Sequence, residues 1–205
     1  LGLNDLKFSK SGKYILIYTN TKRVWRVNSK GDYWVYNTES KKLRQLGGSD
    51  AKPSTLQFAK IDPTEKYAAY VREHNLYLED LESGTIKALT TDGSRTIING
   101  TFDWVYEEEF GIRDGFRWSP DGSRIAFWRL DAKNIKDFLM INNTDSLYSY
   151  TIPVQYPKAG EKNSECIVGT VDIKTGKTVW MNVGDDPANN YIPRMEWAGN
   201  TGKLA

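Results

Sequence analysis

One short unit recurs along the chain and leaves little freedom in architecture. Phe8-Ser9-Lys10-Ser11-Gly12-Lys13-Tyr14-Ile15-Leu16-Ile17 is an aromatic residue, a polar turn with Gly, then an apolar strand. Trp118-Ser119-Pro120-Asp121-Gly122-Ser123-Arg124-Ile125-Ala126-Phe127 repeats it closely. Phe58 through Tyr70, with Asp62-Pro63 in the turn, is a looser copy, and another starts at Trp197-Ala198-Gly199-Asn200. A second pattern follows at a distance: Val35-Tyr36-Asn37-Thr38-Glu39-Ser40, Leu78-Glu79-Asp80-Leu81-Glu82-Ser83-Gly84 and Val171-Asp172-Ile173-Lys174-Thr175-Gly176. Each reads as a strand, a tight Asp/Asn turn with Ser or Thr, and another strand. Together they describe a repeated four-stranded antiparallel meander. That is the signature of β-propeller blades, which recur at about 40–50 residues.

The predicted fold class is therefore all-β: a partial β-propeller built of four-stranded antiparallel blades. About four such units fit in 205 residues, with an extra loop between Asp131 and Pro157. The last copy stops just after its turn, and the first residues enter inside a copy. A half-made blade leaves unpaired strand edges. Residues 1–205 are thus expected to be a fragment of a larger propeller, cut at both ends; closure of a small ring by the two termini is the alternative.

Lys and Arg number 28 against 26 Asp and Glu, a balance that argues against a nucleic-acid platform. The pairs Lys22-Arg23 and Lys41-Lys42 lie beside predicted turns and read as solvated charges. No run of 18 apolar residues offers a membrane span, and Leu1-Gly2-Leu3-Asn4-Asp5 lacks the regions of a signal peptide. Cys166 is alone, so no intrachain disulfide is expected. Asn99-Gly100-Thr101 and Asn142-Asn143-Thr144 match glycosylation acceptors.

Against this strand-rich background, Asp103-Trp104-Val105-Tyr106-Glu107-Glu108-Glu109-Phe110 stands out. Three consecutive carboxylates sit among aromatic side chains, and a buried charge without a partner is heavily penalised. Asp103 can cap a short helical turn, placing Glu107 to Glu109 where carboxylates are favoured. Successive helical positions point about 100° apart. Two neighbouring carboxylates can therefore converge on one small cation while the third turns outward. A protonated peptide N-terminus suits such a pair: it carries charge near neutral pH and offers three donors. An internal peptide bond offers no charge, and the site would reject it. Three other readings stand beside this one. The acids can be a solvated helix face. They can hold a hard metal such as calcium, although no Asp-x-Asp loop or His cluster completes a shell. They can be a glycosidase pair, although those carboxylates lie about 5–10 Å apart and seldom come from adjacent positions.

The Asp103–Phe110 segment resembles the double-glutamate motif of the dipeptidyl peptidase IV family, in the prolyl oligopeptidase clan of serine peptidases. Trp25-Arg26, ahead of Tyr33–Tyr36, resembles that family's substrate-contacting arginine region. Tyr156-Pro157-Lys158-Ala159-Gly160, with Asn163 shortly after, resembles a characteristic loop of the same propeller. The resemblance runs from about Tyr14 to the end. It implies an N-terminal propeller above an α/β-hydrolase domain, in an exopeptidase that removes dipeptides with proline or alanine second. By the same resemblance, Glu108 and Glu109 bind the free amine of a peptide substrate, and Arg26 donates to the carbonyl of the second residue. Arg26 as a plain exposed strand residue is the alternative. The resemblance also implies a periplasmic or extracellular location, and a homodimer made through an arm in Asp131–Pro153, where Ile135, Phe138, Leu139, Met140 and Ile141 cluster. No cofactor and no metal are implied.

The family's nucleophile is missing from the sequence. No Gly-x-Ser-x-Gly elbow is present. The lone His74 reads as a turn residue, and Ser119 belongs to a Pro-Asp-Gly turn. The expected role is positioning, with the hydrolase domain supplying the nucleophile. A non-catalytic propeller acting as a protein-interaction platform is the competing reading; the codons downstream of residue 205 discriminate the two.

Overall fold

A computed structural model describes residues 2–49, 51–184 and 186–205. The first meander comprises β1 (Leu3–Phe8), β2 (Tyr14–Val24), β3 (Val27–Asn37) and β4 (Leu43–Gln45). The second comprises β5 (Leu56–Ile61), β6 (Tyr67–Arg72), β7 (Asn75–Asp80) and β8 (Ile86–Ala88). Then come β9 (Ile97–Asn99) and a short α-helix, α1 (Trp104–Glu109). The third meander is β10 (Phe116–Trp118), β11 (Arg124–Asp131), β14 (Glu165–Asp172) and β15 (Thr178–Trp180). Between its second and third strands lies a separate hairpin, β12 (Asp137–Asn142) and β13 (Tyr150–Gln155). Strand β9 pairs with the far end of β11. All pairings are antiparallel, and the sheets do not close into a ring among the described residues. This is the partial propeller of four-stranded blades that the repeats predict.

The repeat is visible in the register. Phe8 pairs with Ile15, Ile61 with Ala68, Trp118 with Ile125, and Trp197 with Leu204, the same spacing each time. One correction follows: the second copy begins at Ile61, not Phe58. Phe58 sits at φ +54 inside a bulge of β5, where the register slips between Gln57 and Lys60. A bulge adds one unpaired residue and carries the aromatic side chain out of phase. The turns follow local chemistry. Gly12 and Gly122 adopt φ +80 and +70, the left-handed region that glycine enters freely. The second copy places Glu65 there at φ +59. Its strain is offset by Asp62, which accepts from the backbone N–H of Thr64, Lys66 and Tyr67, and by Glu65 itself accepting from Ser11 in the first meander.

Alternation in the middle strands makes the core. In β6, Ala68 and Tyr70 face the cluster shared with the first meander, while Ala69 and Val71 face the cluster shared with the third. Both faces are buried, so the strand reads as a continuous apolar run rather than an alternating one. β11 does the same one sheet later: Ile125 and Phe127 point back, and Ala126, Trp128 and Leu130 point forward to α1. Outer strands add fasteners. Arg44 in β4 donates to the carbonyls of Asp80 and Leu81 at 3.2 and 3.3 Å, and ion-pairs with the fully buried Glu79. Lys87 in β8 reaches the carbonyls of Ile173 and Lys174 at 3.0 and 2.8 Å.

One further expectation needs revision. The stretch after Asp131 is not a loop but the β12–β13 hairpin, in register from Asp137 opposite Gln155 to Asn142 opposite Tyr150. It is hydrogen-bonded as a strand to neither sheet, and Leu139, Met140 and Ile141 are exposed. Of the two glycosylation tripeptides, Asn99 is fully buried, its Nδ2 donating to His74 and Asp92, so it is closed to modification as folded. Asn142 is half-buried, its Nδ2 donating to Asp145 and Tyr150.

Candidate functional site

Helix α1 is only six residues long, and its place is fixed from outside. Asp103 caps it as expected: Oδ1 accepts from the Tyr106 N–H at 3.1 Å, and Oδ2 from the Ser164 hydroxyl at 2.6 Å. Burial raises the Asp103 carboxyl above its ordinary range, with the Ser164 bond opposing. Tyr106 anchors the inner face. Its ring stacks on Phe102 and packs against Phe110, each at 5.3 Å, and its hydroxyl accepts from the Ile192 N–H at 3.2 Å. Trp104 packs against Tyr156 at 4.5 Å, so the loop singled out around Tyr156–Gly160 does border the helix. Gly111, at φ +66, turns the chain away after Phe110.

The three glutamates separate by helical geometry, and one of them departs from expectation. Glu107 turns inward rather than outward. It is 6% exposed and lies 3.3 Å from the Arg113 guanidinium. Burial pushes it up to about 7, with Arg113 pulling down and Asp103 pushing further up. Its Oε2 and the Arg113 Nε face each other without the angle of a hydrogen bond, and both are otherwise unpartnered among the described residues. The packed face of α1, where Tyr106 meets Phe102 and Tyr191, takes Glu107 in with it.

Glu108 and Arg26 meet although 82 residues separate them. The guanidinium grips the carboxylate in a two-pronged fork, Nε to Oε2 and one terminal nitrogen to Oε1, each 2.5 Å. Such bidentate pairs are the strongest and most directional of charged contacts. The fork holds Glu108 below the ordinary carboxylate range and raises Arg26 in turn. Arg26 is not a strand residue. It occupies the two-residue turn between β2 and β3, where Trp25 adopts φ +49 and Val24 pairs with Val27. The hairpin extends well past the sheet, and its length carries Arg26 to α1.

Glu109 is exposed, and no ion pair forms to it among the described residues. Glu108, Glu109 and Arg26 together carry one net negative charge. An ionised carboxylate has about four acceptor positions, so Glu108 retains capacity beyond the fork. The arrangement can take up a single compact cation. Trp25, Phe102, Trp104 and Glu107 line a cavity of about 340 Å³ behind the hairpin tip.

The other singled-out polar residues are structural. His74 occupies the β6–β7 turn at φ +60, with Nδ1 against the Ser94 carbonyl at 2.5 Å, and burial lowers its pKa. Ser119 bonds Asp121 and the Arg124 N–H inside its turn. No cluster of His, Cys, Asp and Glu suited to a metal occurs among the described residues. Sequence reasoning misses Arg113 and Asp114, which follow the helix in an irregular loop with no periodic signal. A cation six positions after an inward glutamate is the one available hint.

Comparison with known proteins gives a consistent result. A family model described as the dipeptidyl peptidase IV N-terminal region matches residues 9–205. Dipeptidyl aminopeptidase B of Saccharomyces cerevisiae is 29% identical over 207 residues, spanning 98% of this chain and 25% of that protein. "Probable dipeptidyl-aminopeptidase B" of Arthroderma gypseum is 32% identical over 185 residues, spanning 84% of this chain and 20% of that protein. The crystal structure of Porphyromonas gingivalis dipeptidyl peptidase 4 superposes with a TM-score of 0.90 at 29% identity, over 98% of this chain and 28% of that one. The chain thus spans about a quarter of the length of these relatives.

Proposed function

Since the chain belongs to the dipeptidyl peptidase IV N-terminal region family, we propose that it is the substrate-positioning part of a dipeptidyl peptidase IV-type serine exopeptidase. Residues 1–205 form a segment of the N-terminal propeller, and an α/β-hydrolase domain elsewhere in the parent provides the nucleophile. The substrate is a peptide with a free N-terminus and proline or alanine second.

Glu108 and Glu109 take the protonated amine. Arg26 donates to the carbonyl of the second residue. The observation that supports this reading is the fork between Arg26 and Glu108, two side chains that meet across 82 residues, one on the β2–β3 turn and one on α1. With the amine and that carbonyl both held, the distance from chain end to scissile bond is fixed. Orientation of this kind lowers a barrier by several kcal/mol in favourable cases. The net single negative charge matches one ammonium and disfavours an acylated end, which would leave Glu109 unpaired. The exposed β12–β13 hairpin suits a homodimer contact of the parent, which resides in the periplasm or outside the cell.

The test uses the full-length parent. Glu108→Ala and Glu109→Ala are each expected to lower kcat/KM on a dipeptide-proline substrate by about 10- to 100-fold, the weight of a charged hydrogen bond. Wild type is expected to leave the N-acetylated substrate uncut. Equal cleavage of the acetylated and free peptides rules out amine anchoring.

A further inference from the structure

The loop after α1 is built as a brace. It leaves the helix at Gly111 and ends at Gly115, where the backbone is pressed against another strand of chain. Gly115 N–H donates to the Gly100 carbonyl at 3.0 Å, and a Cβ at Gly115 would lie 2.6 Å from the Gly100 carbonyl carbon. No side chain fits there, so the far end is fixed. The two charged residues between these points pull in opposite directions. Arg113 faces the helix and holds Glu107; its NH1 also bonds the Gly111 carbonyl at 3.3 Å. Asp114 faces the sheets, ion-pairing with Lys60 of β5 and, at 3.5 Å, with Arg117 of β10. Lys60 also donates to the Phe116 carbonyl at 3.0 Å, and Arg117 reaches Glu196 at 3.4 Å. Adjacent opposite charges thus tie the helix to the inner strands of two blades.

We propose that Arg113 is a positioning residue for amine capture: by fixing Glu107 it sets the rotation of α1, and so the direction of Glu108 and Glu109, with Asp114 anchoring the loop to Lys60 and Arg117. This inference rests on the peptidase reading given above. Arg113 is the sole cation within ion-pair distance of Glu107 among the described residues. Without it, a carboxylate 6% exposed has no countercharge and must take a proton or rotate toward water. A six-residue helix takes its rotation from the side chains that hold it, and Glu107 is the one held by charge rather than by ring packing. Carboxylates stand about 5–6 Å from a helix axis, so a rotation of about 20° displaces them by about 2 Å. A displacement of that size is enough to break the fork with Arg26 and to misplace the amine.

The experiment compares Arg113→Met, Arg113→Lys, Glu108→Gln and the double variant Glu107→Gln/Arg113→Met in the full-length parent, with Gly-Pro-p-nitroanilide as probe. Arg113→Met is expected to raise KM about tenfold with kcat little changed, and Arg113→Lys to recover most of the loss. The double variant has no buried charge left to relieve, so its KM is expected to return toward wild type. It also keeps the test valid if Arg113→Met alone fails to fold. A merely structural role would lower kcat and thermal stability with KM unchanged, and that result overturns the proposal. So does a double variant no better than Arg113→Met. If Glu108→Gln also leaves KM unchanged, the amine-capture reading itself fails, and the brace falls with it. If Glu108→Gln raises KM while Arg113→Met does not, the brace alone is wrong.

Discussion

Glu107→Gln measures how far the inward carboxylate is held from water. Burial carries Glu107 from an ordinary value of 4.5 to about 7, against the pull of Arg113 and with the push of Asp103. The folded chain then keeps a proton between those two values that the unfolded chain has released. Stability from this group is therefore fully present below about pH 4.5, and is lost as the pH rises through 7. Each pH unit in that window is worth about 1.4 kcal/mol. The side chain is 7% exposed, so solvent screening takes away little. Between pH 5 and 8 the loss comes to about 2–3 kcal/mol, to order of magnitude. Glutamine cannot titrate, so the difference between wild type and Glu107→Gln isolates the effect from every other carboxylate. Urea unfolding followed by tryptophan fluorescence at pH 5, 6, 7 and 8 supplies both curves. The wild-type curve is expected to fall relative to the variant by that amount, with the steepest drop between pH 5 and 7. Two parallel curves would mean that Glu107 ionises as it does in water, and the inward placement would be refuted.

Two other substitutions probe the frame. Among the described residues, Arg44→Ala leaves Glu79, which has no exposed surface, with the Gly47 N–H and the Tyr70 hydroxyl as partners; a loss of about 3 kcal/mol in urea is expected, and less than 1 would show that those two donors suffice. Gly122→Ala combines a φ of +70 with a Cβ 2.8 Å from Asp62 Oδ2. It is expected to cost about 2 kcal/mol and lower the thermal midpoint, whereas an unchanged midpoint would show that the turn relaxes freely.

The parts of this molecule governed by neighbouring residues were readable from the sequence. The tight turns depend on Asn37, Asp80 and Asp172, each of which accepts from backbone N–H groups two or three positions ahead. The cap at Asp103 is equally local. What escaped reading depended on distant packing. The bulge at Phe58 moves an aromatic out of repeat phase, and nothing in the local composition marks it. The direction of Glu107 is decided by which face of α1 meets Phe102, Trp128 and Tyr191, residues contributed by separate stretches of chain. The approach of Arg26 to Glu108 depends on the length of the β2–β3 hairpin. Resemblance implies one substrate site for both residues; their spacing in the sequence does not.

The fasteners on the outer strands have a consequence for how such an array can grow. Arg44 and Lys87 sit at the central position of β4 and β8, and each clasps two carbonyls at the end of the third strand of the next unit. The first two units therefore each carry a buckle on the outer strand, and the second and third each offer the matching eyelet. Because both joints use the same parts, a further unit offering the same pair of carbonyls would dock on such an outer strand without a new kind of seam.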